Sequence, residues 1–117
     1  MSGRSIGDFQ RTIEAAYLER DRRRGTTGTF LWFAEEVGEL ARAIKRGERE
    51  NLRVEFADVL AWLSTLASLT GVDLEEAAAR YASGCPRCGR SPCACPERPL
   101  ATYGEGGDAP ASKPPRR

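Results

Sequence analysis

Two groups of acidic residues in this chain have spacings that suit a shared metal site. Glu36 and Glu39 lie three residues apart, and Glu55 and Asp58 repeat that spacing further along. Because residues three or four apart share one face of a helix, each pair predicts two carboxylates pointing the same way. If the two helices pack antiparallel, four carboxylates converge, and their repulsion raises their pKa values unless a cation holds them. Oxygen ligands of this kind suit a hard cation such as Mg²⁺.

The alternative explanation is a solvated helix face, which is the usual reason for a run of charged residues. Two details favour a metal site instead. Both acidic groups lie along the edge of an apolar stripe. Glu35 and Glu39 also form a like-charge pair at i and i+4, which destabilises a helix unless something binds there.

Composition narrows the range of functions. With 117 residues the chain forms one small domain, and its formal net charge of +1 gives no overall attraction to nucleic acid or to a membrane. Histidine is absent, which excludes Ser/His/Asp and Cys/His triads and histidine-ligated zinc catalysis. Catalysis would therefore use carboxylates, Lys or Arg, Tyr, Cys or a bound metal.

The sequence also predicts a location. The N-terminus lacks the apolar run of a signal peptide. No stretch approaches the roughly 18–20 apolar residues that span a bilayer. We expect a cytoplasmic protein with no membrane contact. In that compartment, clustered cysteines are more typical of a metal site than of disulfides.

Apolar periodicity and end signals predict four helices. They span about residues 6–24, 29–46, 50–70 and 73–82. Gly25, Gly47 and Gly71 end the first three helices, while Ser5 and Asp73 cap the first and the fourth. The short connection between the second and third helices predicts an antiparallel hairpin. The predicted fold class is all-α, a helical bundle built on that hairpin.

The acidic groups and their surroundings closely resemble the MazG-like nucleotide pyrophosphohydrolases, which belong to the all-α NTP pyrophosphatase superfamily. The signature of that superfamily is E-E-x-x-E followed by E-x-x-D. FLWFAEEVGEL at residues 30–40 and EFADVLAW at residues 55–62 match it without a gap or substitution. The resemblance covers about residues 9–81. It implies hydrolysis of a nucleoside triphosphate to the monophosphate and pyrophosphate, in housecleaning or nucleotide-pool control. It also implies dependence on Mg²⁺, with Mn²⁺ as the alternative ion.

The same resemblance implies roles for the acidic residues. Four of them would bind the metal: Glu36, Glu39, Glu55 and Asp58. Glu35 would be a further ligand or would orient the attacking water. These five residues are the expected catalytic set.

Substrate-binding residues are predicted beside the acidic groups. Cationic residues near the hairpin turn would contact the leaving pyrophosphate, with ordinary surface charge as the alternative: Lys45, Arg46, Arg49 and Arg53. Trp32 and Trp62 lie on the carboxylate side of their helices, where one would stack on the base; a place in the core is the alternative. Phe30 and Phe33 are predicted as core.

A compact cysteine cluster follows the last helix. Cys85, Cys88, Cys93 and Cys95 form C-x-x-C followed by C-x-C. C-x-x-C has the usual spacing of a tetrahedral zinc site, although the closing C-x-C is tighter than in common zinc ribbons. The alternatives are disulfides, which would be strained in so short a loop, and an iron–sulfur cluster. We predict a structural zinc ion, because four cysteines leave no open position for catalysis.

These elements predict three segments. Residues 1–83 form the MazG-like catalytic domain, residues 84–96 the Cys-rich loop, and residues 97–117 a disordered tail rich in Pro and Gly. About 80 ordered residues make a thin core, so we expect a homodimer or homotetramer, as the resemblance also suggests.

Two other functions stay open. A zinc-knuckle module would bind nucleic acid or protein through basic residues of the loop and tail: Arg87, Arg90, Arg98, Lys113, Arg116 and Arg117. A related all-α pyrophosphohydrolase would act on phosphoribosyl-ATP. We favour a nucleoside triphosphate as the substrate and do not expect nucleic acid as a partner.

Overall fold

The computed structural model describes residues 5–97. The regular elements in this range are all helices, so the fold class is all-α, as predicted. Helix α1 spans Ile6–Arg46, α2 spans Arg49–Leu69 and α3 spans Leu74–Ala78, followed by a 3-10 turn at Ala79–Tyr81. The chain divides into two compact units after Ala79. None of the helices in the described range combines the length and apolarity needed to cross a bilayer. The predicted tail lies outside the described residues, except for Glu97.

Helix α1 replaces the first two predicted helices. The predicted break at Gly25 is present, because its backbone leaves helical geometry with φ +85° and ψ +168°. Glycine reaches this region readily because it has no Cβ. The helix resumes at once, so the predicted loop between residues 25 and 28 is absent. A single glycine redirects the chain, and no further residues are needed for the change of direction.

The helix ends follow the predicted signals. Ser5 Oγ accepts a hydrogen bond from the backbone N–H of Asp8 at 2.9 Å. Gly47 closes α1 in the left-handed region at φ +67°, where its N–H donates to the carbonyl of Ala43 at 2.9 Å. Asp73 Oδ1 accepts from the N–H of Glu75 at 2.8 Å at the start of α3. These caps satisfy backbone groups that a helix end would otherwise leave unpaired.

Helices α1 and α2 form an antiparallel hairpin that turns at residues 47–48 and stays paired along its length. Near the turn, Glu36 approaches Glu55; midway, Asp21 binds Thr65. At the far end, Gln10 reaches the carbonyl of Val72. The predicted hairpin is therefore confirmed, and it places the two acidic groups on facing helices.

The surface shared by the two helices is made largely of small and polar residues. In the described range the buried apolar residues are only Ala43 and Ala67. The buried polar ones are Gln10, Asp21, Thr29, Glu55, Ser64 and Thr65. Such an interface supplies specific hydrogen bonds but removes little apolar area from water.

The apolar stripe of α1, defined as Phe30, Phe33, Val37, Leu40 and Ile44, is not a core within this chain. Phe30 is 54% exposed and Ile44 is 58% exposed, while Phe33 is half-buried with its ring centroid 6.0 Å from that of Phe30. The prediction of Phe30 as a core residue is therefore wrong for a single chain. A two-helix hairpin forms one layer, and an apolar face needs a second layer to cover it.

Gln10 joins α1 to the segment between α2 and α3 by hydrogen bonds, and its substitution would test this packing. It is 1% exposed; its Nε2 donates to the Val72 carbonyl at 2.9 Å, and its Oε1 accepts from the Leu74 N–H at 2.8 Å. Gln10→Ala would leave both backbone groups without this partner. We expect the free energy of unfolding in urea to fall by about 1–3 kcal/mol.

Arg11→Ala is the matched control for Gln10→Ala. Arg11 is exposed and forms two ion pairs. Its Nη1 lies 3.2 Å from Glu14 Oε1, and its Nη2 lies 3.5 Å from Asp73 Oδ2. Ion pairs in water contribute little, so this variant should lose at most about 1 kcal/mol. Equal losses in the two variants would contradict the role assigned to Gln10.

Candidate functional site

Three of the predicted acidic residues meet between α1 and α2. Glu36 comes from α1, and Glu55 and Asp58 come from α2. Each offers a carboxylate oxygen, and these oxygens all lie within 4.8 Å of one another. We call these three residues the carboxylate cluster. It forms because the hairpin is antiparallel and because Glu55 and Asp58 stand one helical turn apart.

The electrostatics of the carboxylate cluster are unfavourable without a cation. Burial is the largest of the causes that raise the pKa of Glu36 to about 7; the close approach of Glu55 and the charges of Asp58 and Glu39 contribute the rest. Glu55 is only 8% exposed. One buried oxygen of Glu36 and one of Glu55 have no hydrogen-bonding partner within residues 5–97. The predicted increase in pKa is thus confirmed for Glu36, and a divalent cation fits the unpaired oxygens.

The other two acidic residues lie outside this cluster. Glu39 Oε1 is 3.7 Å from Arg42 Nη1, so an arginine that the sequence analysis did not single out neutralises part of its charge. Glu39 still contributes to the raised pKa of Glu36. Glu35 is exposed on α1. The structure therefore brings together three members of the expected set of five.

The two tryptophans pack against each other beside the carboxylate cluster. The rings of Trp32 and Trp62 are nearly parallel, with centroids 6.1 Å apart and planes inclined by 10°. Trp32 lies four residues before Glu36, and Trp62 lies four residues after Asp58. Four residues correspond to about 6 Å along a helix, so the indole pair is one turn from the cluster. Trp62 shares a cavity with Asp58, and Trp32 stacks on Trp62 from the facing helix.

A cavity of about 300 Å³ adjoins Asp58 of the carboxylate cluster and Trp62 of the indole pair. It is lined on the α2 side by Asp58 and Trp62 and on the α1 side by Tyr17 and Arg20, among others. This volume is at the lower limit of ligand pockets. The cavity places polar and aromatic groups within reach of a molecule bound at the cluster.

Sequence analysis missed a buried polar group at the wall of this cavity. Asp21 is 3% exposed and accepts hydrogen bonds from Thr65 Oγ1 at 3.1 Å and from Arg24 Nη1 at 3.0 Å. The Arg24 guanidinium also lies 4.9 Å from the centroid of the Trp62 ring. The available signal was that Asp21 follows Ile13 and Tyr17 at intervals of four residues. A carboxylate in that register faces the inside of the hairpin.

The predicted cationic residues lie at the other end of the carboxylate cluster. All four are exposed, and within the described range none forms an ion pair: Lys45, Arg46, Arg49 and Arg53. Lys45 and Arg46 are the last two residues of α1, and Arg49 is the first residue of α2. Arg53 lies two residues before Glu55. Their charge is therefore available to a ligand that extends toward the turn.

The four cysteines come together in the second unit. Their Sγ atoms all lie within 4.8 Å of one another, with 3.8 Å between Cys85 and Cys95 and 3.9 Å between Cys88 and Cys93. A disulfide requires about 2.05 Å between sulfurs. The four side chains are thus unbonded thiols in this structure.

A known protein family matches the part of the chain that contains the carboxylate cluster. A family model described as MazG nucleotide pyrophosphohydrolase domain matches residues 24–86, which is more than half of the chain. The matched range contains the carboxylate cluster and both tryptophans. A search of curated proteins finds no match.

Proposed function

Because the chain belongs to the MazG nucleotide pyrophosphohydrolase family, we propose that it hydrolyses a nucleoside triphosphate to the monophosphate and pyrophosphate. The observation that carries this proposal is the carboxylate cluster. Its oxygens lie within 4.8 Å of one another, and two of them are buried without a partner in the described range. Without a cation, the repulsion between these carboxylates destabilises the folded protein. The site suits a divalent cation that also binds phosphate.

The cation would be Mg²⁺, with Mn²⁺ as the alternative, held by Glu36, Glu55 and Asp58. Glu39 would join them by leaving Arg42, since an exposed ion pair at 3.7 Å contributes little stability. When bound, the ion supplies neutralisation of the polyphosphate charge and activation of water for attack. Glu35, outside the cluster, would orient that water.

The order of side chains along α2 supports one direction for the bound substrate. Trp62 and the cavity lie on one side of the carboxylate cluster, and Arg53 lies on the other. Trp62 follows Arg53 by nine positions, which is about 13.5 Å along the helix axis, a length that suits an extended nucleotide. We infer that the base stacks beside Trp32 or Trp62. The leaving pyrophosphate then extends toward Arg53 and the cations of the turn.

A second copy of the chain would complete the fold. Large apolar side chains are exposed on both long helices, among them Phe30, Ile44 and Phe56. Because only alanines are buried apolar residues in the described range, the hairpin alone has almost no hydrophobic core. The net charge of +1 opposes self-association only weakly. We therefore propose a homodimer or homotetramer in which the apolar stripe of α1 is covered.

The decisive experiment is product analysis with a panel of ribo- and deoxynucleoside triphosphates, with and without Mg²⁺ or Mn²⁺. The expected products are the monophosphate and pyrophosphate, formed only with the metal. Phosphoribosyl-ATP belongs in the panel, because a preference for it would select the alternative substrate. Release of orthophosphate and a diphosphate, or no reaction by the folded protein, would contradict the proposed reaction. In the second case the zinc-knuckle module becomes the leading hypothesis.

A further inference from the structure

We propose that Cys85, Cys88, Cys93 and Cys95 bind one structural Zn²⁺ ion, and that this ion holds the fold of residues 84–96. This site belongs to the second unit of the chain and uses a different kind of ligand from the carboxylate cluster. Thiolates are soft ligands that favour zinc, whereas the carboxylates favour Mg²⁺. Four cysteine ligands would fill the coordination shell, which makes the site structural.

The distances between sulfurs are those of a tetrahedral zinc site. With a Zn–S bond of about 2.3 Å, the edge of a regular tetrahedron is about 3.8 Å. The pairs Cys85–Cys95 and Cys88–Cys93 lie at 3.8 and 3.9 Å, and all four sulfurs lie within 4.8 Å of one another. One ion at their centre would therefore reach every sulfur with small adjustments. An iron–sulfur cluster needs wider separations, because several metal and sulfide atoms lie between the cysteines.

The backbone of the loop favours the form of cysteine that binds metal. The N–H of Ala94 donates to Cys88 Sγ at 3.3 Å, and the N–H of Cys95 donates to Cys93 Sγ at 3.3 Å. Amide donors stabilise a thiolate over a thiol, and zinc binds the thiolate. The two donors serve different cysteines, so the arrangement extends over both halves of the loop.

Two glycines let the chain fold around this centre. Gly89 has φ +72° directly after Cys88, and Gly84 has φ +101° directly before Cys85. A Cβ at Gly84 would lie 2.8 Å from the carbonyl oxygen of Arg90, which accepts the N–H of Cys85 at 3.0 Å. Glycine thus allows the close approach to Arg90 that closes the turn around the C-x-x-C half.

Apart from its own hydrogen bonds, the loop has little to hold its fold in the described part of the chain. No residue from 80 to 97 is buried, so the segment has no hydrophobic core of its own. Short segments of this kind fold when a metal or disulfides cross-link them. Since the sulfurs are too far apart for disulfides, ligation of a metal is the cross-link that the geometry supports.

The first test is metal analysis of the full chain after removal of any purification tag. The chain contains no histidine, so tightly bound zinc reports on the cysteines. We expect about one zinc ion per chain, and a cobalt-substituted form with the intense absorption of tetrahedral thiolate ligation. Cys88→Ser should remove most of the zinc. Ser91→Ala, in the same loop, and Glu36→Gln, in the carboxylate cluster, should keep it.

A second measurement follows the fold of the loop itself. Trypsin cleaves after Arg87 and Arg90, which lie between the cysteines. We expect zinc to slow cleavage at both sites at least tenfold, and we expect removal of zinc or Cys88→Ser to abolish that protection. Circular dichroism of the helices verifies that the variant is folded. Bound iron, disulfides detected by mass, or cleavage that is equal with and without zinc would overturn the proposal.

Discussion

Glu36→Gln is expected to reduce Mg²⁺-dependent pyrophosphate release by more than about 100-fold. Glu36 contributes to the carboxylate cluster a buried oxygen that has no hydrogen-bonding partner among the described residues. Glutamine has a similar size, but it has a single uncharged oxygen that binds a metal ion more weakly. The helical content should not change. The metal-free variant should be at least as stable as the parent chain in thermal unfolding, because one of the repelling charges has been removed.

Two neighbours of Glu36 serve as controls for this prediction. Glu35→Gln changes an exposed carboxylate one residue away, and we expect an intermediate loss of activity with Mg²⁺ affinity unchanged. Glu39→Gln removes a carboxylate that is paired with Arg42, and it should raise the Mg²⁺ concentration needed for half-maximal activity. If Glu36→Gln kept full activity, Glu36 would not be a metal ligand.

The second large effect is expected on assembly. Phe30→Asp places a charge at the N-terminal end of the apolar stripe of α1, where the wild-type ring is 54% exposed in a single chain. If a second copy covers this ring, the buried charge prevents association, and the thin hairpin loses most of its stability. We expect the variant to sediment as a monomer and to unfold at a much lower temperature than the parent chain.

Leu31→Asp is the matched control for Phe30→Asp. Leu31 is the next residue on the same helix and is 66% exposed, but it lies outside the apolar stripe. Its substitution should preserve both the oligomer and the melting temperature. Unfolding of the parent chain should also depend on protein concentration, as it does for any obligate oligomer. A parent chain that sediments as a stable monomer would contradict the proposed assembly.

The sequence predicted the parts of the fold that depend on local rules. The ends of α1 and α3 follow from the caps at Ser5, Gly47 and Asp73, whose chemistry acts within a few residues. The meeting of Glu36 with Glu55 follows from a short connection and a three-residue spacing. These features need no knowledge of how distant side chains pack.

The remaining features depend on how the helices rotate against each other. The dihedral angles of Gly25 set the direction of the second half of α1, and periodicity alone does not give their values. Asp21 lies against Thr65 and Phe30 is exposed, and neither fact follows from spacing along a single helix. Helical periodicity identifies an apolar stripe but does not show whether the same chain or a second layer covers it. The stripe of α1 is such a face, and Phe30 is therefore not an internal core residue.

The indole pair has a practical consequence. The chain contains two tryptophans, and the structure stacks them together one helical turn from the carboxylate cluster. Their fluorescence therefore carries no background from a distant indole, and coupling between two nearly parallel rings gives a circular dichroism signal that depends on their mutual angle. Whatever enters beside Trp32 or Trp62 will alter both signals. The protein thus contains an intrinsic optical reporter of its own site, which requires neither a label nor turnover.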